Sequence, residues 1–453
     1  MVESKENKMG TMPIGKLLFT MTAPLVISML VQAFYNIVDS VFVSRYSDAA
    51  LQAISYAFPA QNLMIGFATG AGVGVNALLS RSLGEKNVKK ANSVAENGVF
   101  VAMVSAVLFA LFGFFGAEAF IAFQTKTPDV IRAGGEYLSI CSIFSFGIFG
   151  EIMYERLMQS TGKTIYTMYT QGIGAIINII LDPIFIFGYF GFPAMGAKGA
   201  AIATVAGQIV AFLLGIIFNQ IFNKEIRLNL FKFKPSLKII GGIYSIGLPS
   251  IIMMSIGSVL TTSLNKILNG FDKIGDIAAS VYGVYFKLQS FAFMPIFGIN
   301  NGVIPIIAYN YGARKKDRLL RTIRLSVTVI VSIMVLALLV MQLMPRTLLG
   351  LFDAKDEMMS IGIAALRTIS LSYIFAGVCI ALTSVFQALG KGSYALIMSI
   401  TRQLVVLLPA AYLLSLTGNV NAIWWAYPIA EVASVTACAI LFIRLYQKTI
   451  KHI

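Results

Sequence analysis

The chain has 453 residues, of which 57% are hydrophobic and 12% charged, with a mean hydropathy of +0.81 and a formal net charge of +15. A soluble domain carries about 25% charged residues and could not hide this much apolar surface, so the composition describes an integral membrane protein. One histidine, His452 in the C-terminal tail, and three scattered cysteines, Cys141, Cys379 and Cys438, exclude a histidine-based catalytic centre and any CxxC framework.

In chain order, Met1 to Lys16 is polar and basic and leads directly into a full-length apolar run, with no cleavable signal peptide apparent. A membrane helix needs roughly 20 apolar residues, and the alternation of an outer-membrane barrel is missing. Twelve spans are predicted, at 16–40, 52–80, 92–121, 130–160, 164–189, 197–221, 240–268, 278–309, 318–345, 357–388, 393–416 and 421–446. With both termini inside, 23 of the 35 Lys and Arg residues flank the cytoplasmic ends and seven the opposite side. The other five, Arg156, Lys266, Lys287, Arg367 and Arg402, fall in or at the edge of spans. That bias is a strong positive-inside signal. Charges spread over membrane-flanking loops also argue against nucleic acid as a partner.

In the first span, Ser28, Gln32, Tyr35, Asn36 and Asp39 share one helical stripe, and Pro24 offers a place to bend. Two readings of Asp39 stand: a cap or Arg45 partner at the outer helix end, and a titratable or cation-binding group at a cavity mouth. A carboxylate in hydrocarbon costs enough that it usually faces a cavity, a partner or an ion. The run Gly66-Phe-Ala-Thr-Gly70-Ala-Gly72-Val-Gly74 follows in the second span, and small residues at this spacing let helices approach closely. In the fifth span Asn178 and Asp182 are i,i+4 neighbours just before Pro183, and in the sixth Thr204 and Gln208 are likewise paired. Such oxygens form either a structural polar network or a site for a proton or hard monovalent cation.

Residues 222–239 form a basic linker with Phe222, Leu228, Leu230, Phe231 and Phe233, an interfacial segment between residues 1–221 and 240–453. The two flanking halves repeat one another at displacements of 223 to 228 residues. Pro24-Leu-Val-Ile-Ser falls on Pro249-Ser-Ile-Ile-Met, Gly74…Gly84 on Gly302…Gly312, Gln159-Ser-Thr-Gly162-Lys on Gln387-Ala-Leu-Gly390-Lys, and Gly199–Gln208 on Ala422–Glu431. Six spans per repeat give both halves the same orientation, as in transporters that work by alternating access. The acids have no repeat partner, since Asp39 aligns with Leu264 and Asp182 falls near Pro409 and Ala410. The second half instead offers Lys287 and Gln289 in the eighth span, Arg402 in the eleventh and Glu431 in the twelfth. A buried Lys287 would need a carboxylate, dipole or water, in a structural ion pair or at a substrate.

The motifs at Pro24 with Gln32 to Asp39, Gly74 to Gly84, Gln159 to Lys163, Asn178 to Pro183, Gly199 to Gln208, Gly302 to Gly312 and Trp424 to Glu431 resemble the multidrug and toxic compound extrusion (MATE) family over essentially the whole chain. The resemblance implies an all-α, V-shaped membrane protein of twelve helices in two six-helix lobes, exporting organic cations in exchange for Na⁺ or H⁺. In members with an N-lobe coupling site, an acid in span one, an Asn and an Asp in span five and a Thr in span six form it. Asp39, Asn178, Asp182 and Thr204 match these and would hold Na⁺ if coupling is to sodium. Another branch of the family uses carboxylates in spans seven and ten, where this chain has no matching acid.

The expectation is therefore a multidrug antiporter of the plasma or inner membrane, monomeric, with no cofactor beyond the coupling ion. Gln32, Tyr35, Asn36, Lys287 and Gln289 are its expected substrate contacts and Pro24 its hinge. Phosphate-loop and catalytic-triad patterns are missing, so no enzyme is expected. The alternative is a flippase for a lipid-linked oligosaccharide, which should line its cavity with several Arg residues to hold pyrophosphate.

Overall fold

A computed structural model describes residues 6–230, 233–271, 274–352 and 354–453 of the chain. Lys5, Phe231, Lys232 and Lys273, used above in the charge and linker arguments, lie outside them. The described residues contain helices and no strand. A short α1 (Lys8–Thr11) precedes α2 (Ile14–Tyr46), α3 (Asp48–Gly84), α4 (Val88–Phe115), α5 (Ala117–Gln124), α6 (Pro128–Ile143), α7 (Phe146–Ser160), α8 (Thr164–Phe187) and α9 (Ala197–Phe222). The second half holds α10 (Leu237–Leu268), α11 (Gly275–Gly312), α12 (Lys316–Leu343), α13 (Pro345–Gly350), α14 (Asp356–Ser370), α15 (Tyr373–Ala388), α16 (Gly392–Ile400), α17 (Leu408–Ser415), α18 (Val420–Ile423) and α19 (Ala426–Lys448).

Among the described residues, ten segments are long and apolar enough to cross a membrane singly, and two bent pairs bring the total to twelve. The fourth and tenth spans, expected as single helices, are each broken: α6 and α7 meet at 45°, α14 and α15 at 49°. The breaks fall at Phe144–Ser145 and Leu371–Ser372, equivalent places in the two repeats. At the first, Ser139 Oγ donates to the Gly113 carbonyl at 2.7 Å and Ser145 Oγ to that of Ala106 at 3.1 Å, pinning the bend to α4. In the eleventh span a π-helical segment, Thr401–Leu407, joins α16 to α17. Side-chain caps separate the outer spans: Ser47 accepts from the Ala50 N–H and Asn87 from that of Lys90.

The repeat is visible in the backbone. Lys86 and Arg314 share a left-handed φ of 57° and 55°, and Gly162 and Gly390 take 85° and 74°. The halves meet where α10 packs on α3 and α11 on α2 and α3. Here the glycines are required by close approach. A methyl on Gly84 would strike the Tyr309 carbonyl, and one on Gly312 the Arg81 carbonyl, so each glycine sits on the other's preceding turn. Gly70 faces Gly247 and Ile251 of α10 in the same way that Gly298 faces Leu25 and Val26 of α2. The glycine run is thus helix-packing surface, and the repeat builds its own interface.

One large apolar core fills the second half and extends to Leu17, Met21 and Val73; two smaller cores fill the first. Outward-facing Phe19, Leu108, Phe114, Leu336 and Leu343 are exposed, as a lipid-contacting surface requires. Residues 6–12 and the C-terminus lie on one face. There residues 6–12 bridge the halves: Asn7 Nδ2 donates to the Thr161 carbonyl at 3.0 Å and to Glu225, while Glu6 pairs with Lys315. Arg318 and Asn310 also donate to the Met9 carbonyl, at 3.0 Å each. Lys316 Nζ reaches the Lys451 carbonyl at 2.9 Å.

Candidate functional site

Pro24 lies inside an otherwise continuous α2. It has no N–H, so the Thr20 carbonyl loses its helical donor. Thr164 Oγ1, at the start of α8, donates to that carbonyl at 3.3 Å and ties α8 to the proline turn. Ser28 Oγ bonds the Pro24 carbonyl at 3.0 Å, so this member of the expected polar stripe serves its own helix. Gln32, Tyr35 and Asp39 are half-buried, whereas Asn36 is exposed. Asp39 stands well before the helix end at Tyr46, and it makes no ion pair with Arg45. The capping and Arg45 reading therefore fails. Its Oδ1 is buried without a hydrogen-bond partner.

On the facing helix, α8 and α9 approach closely because Gly174 and Gly207 oppose one another. A methyl on Gly207 would sit 2.6 Å from the Gly174 carbonyl oxygen. This brings Asn178 of α8 against Thr204 of α9. Asn178 Nδ2 lies 3.4 Å from Asp182 Oδ1 and 3.3 Å from Thr204 Oγ1. Turning the amide over satisfies it better: Nδ2 then donates to Asp182 Oδ2 at 3.2 Å and Oδ1 accepts the Thr204 N–H at 3.1 Å. Asp182 is 0% exposed, and no Lys or Arg nitrogen among the described residues lies within ion-pair distance of it. Asp39 of α2 lies within Coulombic range. Asp182, Asn178 and Thr204 thus bring together a carboxylate, an amide and a hydroxyl, with Asp39 on the packed helix α2 as a second carboxylate, and no Lys or Arg among the described residues pairs with either acid. All donor atoms are oxygens or a reorientable amide, a set that suits a proton or a hard monovalent cation rather than a transition metal.

The other expected residues are not gathered here. Lys287, expected to be buried, is exposed because its position on α11 faces outward, and its ammonium lies 5.8 Å from the Phe352 ring centre. Gln289 is half-buried and makes no hydrogen bond to the Asp182 set. Arg402 Nη1 meets Glu431 Oε1 at 3.3 Å. Sequence reading passed over two acids, Glu151 and Glu155, in the fourth span. Their i,i+4 spacing within an apolar run was the signal that would have found them.

The sequence profile of the MatE family matches residues 24–184 and again 249–413, two copies offset as the internal repeat is. The chain belongs to the MatE family. Among its MatE relatives is the multidrug export protein MepA of Staphylococcus saprophyticus, 26% identical over 428 residues, with 94% of this chain and 93% of that protein covered. MepA of Staphylococcus aureus strain MRSA252 is also 26% identical, over 438 residues, covering 96% and 95%. In fold, the chain superposes with a TM-score of 0.91 on a multidrug resistance MATE family transporter solved in an outward-facing conformation, at 22% identity and 99% coverage of both.

Proposed function

We propose that this MatE protein exports amphipathic organic cations across the membrane in exchange for Na⁺ or H⁺. The observation that carries the coupling is Asp182, wholly enclosed, bonded to Asn178 and lacking a positive side-chain partner. A buried uncompensated carboxylate costs several kcal/mol, so a proton or cation must accompany it. Asp39, Asn178, Asp182 and Thr204 make up that site, within a first lobe of residues 1–221 joined by 222–239 to a second of 240–453. The export of drugs is supported by the relatives named multidrug export proteins.

The face bearing both termini is cytoplasmic in this reading, from the positive-inside bias, and the protein works as a monomer in the plasma or inner membrane. Ion occupancy at Asp39 and Asp182 favours one arrangement of the lobes, with the α2 turn at Pro24 absorbing the bend. A drug that binds the other arrangement better completes the cycle, since only differential affinity shifts an equilibrium. Tyr35, Gln32 and Asn36 on α2 are the substrate contacts, with Gln289 on the second lobe, and cation–π contact with Tyr35 and Phe34 selects positive aromatic compounds; the outward-facing Lys287 is left out of this set. Lipid-linked pyrophosphate is a poorer substrate for this chain, because Arg402 is already paired with Glu431.

Dye efflux from proteoliposomes under an imposed Na⁺ gradient or an imposed pH gradient, each alone, tests this reading. Efflux driven by one of them is expected. Flipping of a lipid-linked oligosaccharide that is abolished by Arg402→Ala, without gradient-driven efflux, would overturn it.

A further inference from the structure

Toward the terminal face, the α7–α8 interface encloses a second group of polar atoms that the Asp182 set does not use. Glu151 and Glu155 stand one turn apart on α7. Glu155 is 5% exposed; its Oε1 accepts from Thr170 Oγ1 at 3.3 Å and its Oε2 from Gln171 Nε2 at 3.0 Å. No ion pair reaches Glu151 or Glu155 among the described residues.

The nearest cation in sequence, Arg156, lies within Coulombic range of Glu155 but forms no ion pair with it. Its Nη1 donates to Gln159 at 2.9 Å and its stem fills the space left by Gly72. The helices packed on α7 are α3, α4, α8, α9 and α11. Their charged residues are Asp48 and Arg81 on α3, Lys89, Lys90 and Glu96 on α4, Asp182 on α8, Lys198 on α9, and Asp276 and Lys287 on α11. None of these pairs with Glu155.

Two further atoms on this part of α8 lack partners: Thr167 Oγ1, on a residue 1% exposed, and Gln171 Oε1. Thr167 and Gln171 are i,i+4 neighbours and so share the face from which Gln171 reaches Glu155. A carboxylate without an ion-pair contact, an amide oxygen without a donor and an unpartnered hydroxyl leave acceptor oxygens here that a proton or cation would satisfy. The same face of α8 continues through Gly174 and Asn178 to Asp182, eleven residues on, a rise of about 16 Å at 1.5 Å per residue.

We propose that Glu155, with Glu151, Thr167 and Gln171, forms a second site for a monovalent cation, Na⁺ or a proton, through which the coupling ion passes between Asp182 and the terminal face. This rests on the reading of Asp182 as the coupling acid, and the test separates the two. Thermal unfolding of the purified protein is followed in a Na⁺ titration at fixed pH and in a pH titration without Na⁺, for wild type, Asp182→Asn, Glu155→Gln and the double variant. A shift of Tm with Na⁺ identifies Na⁺ as the occupant, and a shift with pH alone identifies the proton.

Asp182→Asn is expected to keep a residual cation-dependent rise in Tm that the double variant loses. Glu155→Gln alone should slow gradient-driven efflux at least tenfold while leaving the dye Kd within twofold. If Glu155→Gln does not fold, Gln171→Met serves instead, with a tenfold weaker cation response expected. An Asp182→Asn protein with no cation response at all, or a Glu155→Gln protein with wild-type efflux, overturns the second site. Full ion-driven efflux by Asp182→Asn would instead sink the coupling role of Asp182.

Discussion

Replacing Asp182 by Asn separates a coupling carboxylate from a structural one by the sign of its effect on stability. The wild-type side chain is 0% exposed and has one side-chain partner, the Asn178 amide. A hydrogen bond to a charged group is worth about 1.5–3 kcal/mol, whereas a buried charge left without its partner costs about 3–5 kcal/mol. An asparagine keeps the shape, loses part of the first quantity and all of the second. The ion-free variant should therefore melt at or above the wild-type temperature. The wild type should gain about 2.7 kcal/mol when its coupling cation is present at a hundred times its Kd, and the variant nearly nothing at this site. Thermal unfolding in detergent with and without the cation measures both quantities, and proteoliposome efflux measures coupling, which should be lost. A variant that melts well below wild type yet still drives efflux from the ion gradient would refute the reasoning.

Gly312→Val places a side chain against the Arg81 carbonyl, and Gly84→Val places one against that of Tyr309. Each should cost about 1–3 kcal/mol from overpacking, and the double variant less than the sum, because both disturb one contact; unfolding in denaturant checks this. Thr164→Val removes the donor to the Thr20 carbonyl and should cost about 1 kcal/mol, recovered in Thr164→Ser, by thermal unfolding. The Lys315 hydrogen bond holds the Glu6 carboxyl below its ordinary 4.5. That contribution to the bridge between the halves is fully present above pH 4.5 and fades as pH falls through the lowered value. Spin-label distances from the exposed position 11 to the α11–α12 turn should lengthen there, and at every pH in Lys315→Met.

Much of the architecture was readable without coordinates because bilayer thickness and period-3.6 packing leave few choices for long apolar runs. The span limits near 164–189 and 197–221 agree with α8 and α9 to within a turn. The breaks at Ser145 and Ser372 were not readable, since a bend with apolar residues on both sides leaves hydropathy unchanged. At the site, the pairing of Asn178 with Asp182 followed from i,i+4 spacing alone. Its third member, Thr204, was a candidate from its own i,i+4 pairing with Gln208, but its meeting with Asn178 is set by the Gly174–Gly207 contact. Lys287 illustrates the opposite failure: a lysine in an apolar run reads as buried, but its direction depends on how α11 is rotated against its neighbours.

The sequence by itself determined the membrane class, the twelve spans, the repeat and the asymmetric placement of Asp39 and Asp182, because composition and local periodicity carry these. Only the tertiary structure decided which polar atoms meet. It left Asp182 without a Lys or Arg partner among the described residues, bonded Arg156 to Gln159, and gave Arg402 to Glu431. Charge compensation in a low-dielectric interior is decided within a few ångströms, and those distances are set by helix rotation and close glycine contacts between segments far apart in the chain.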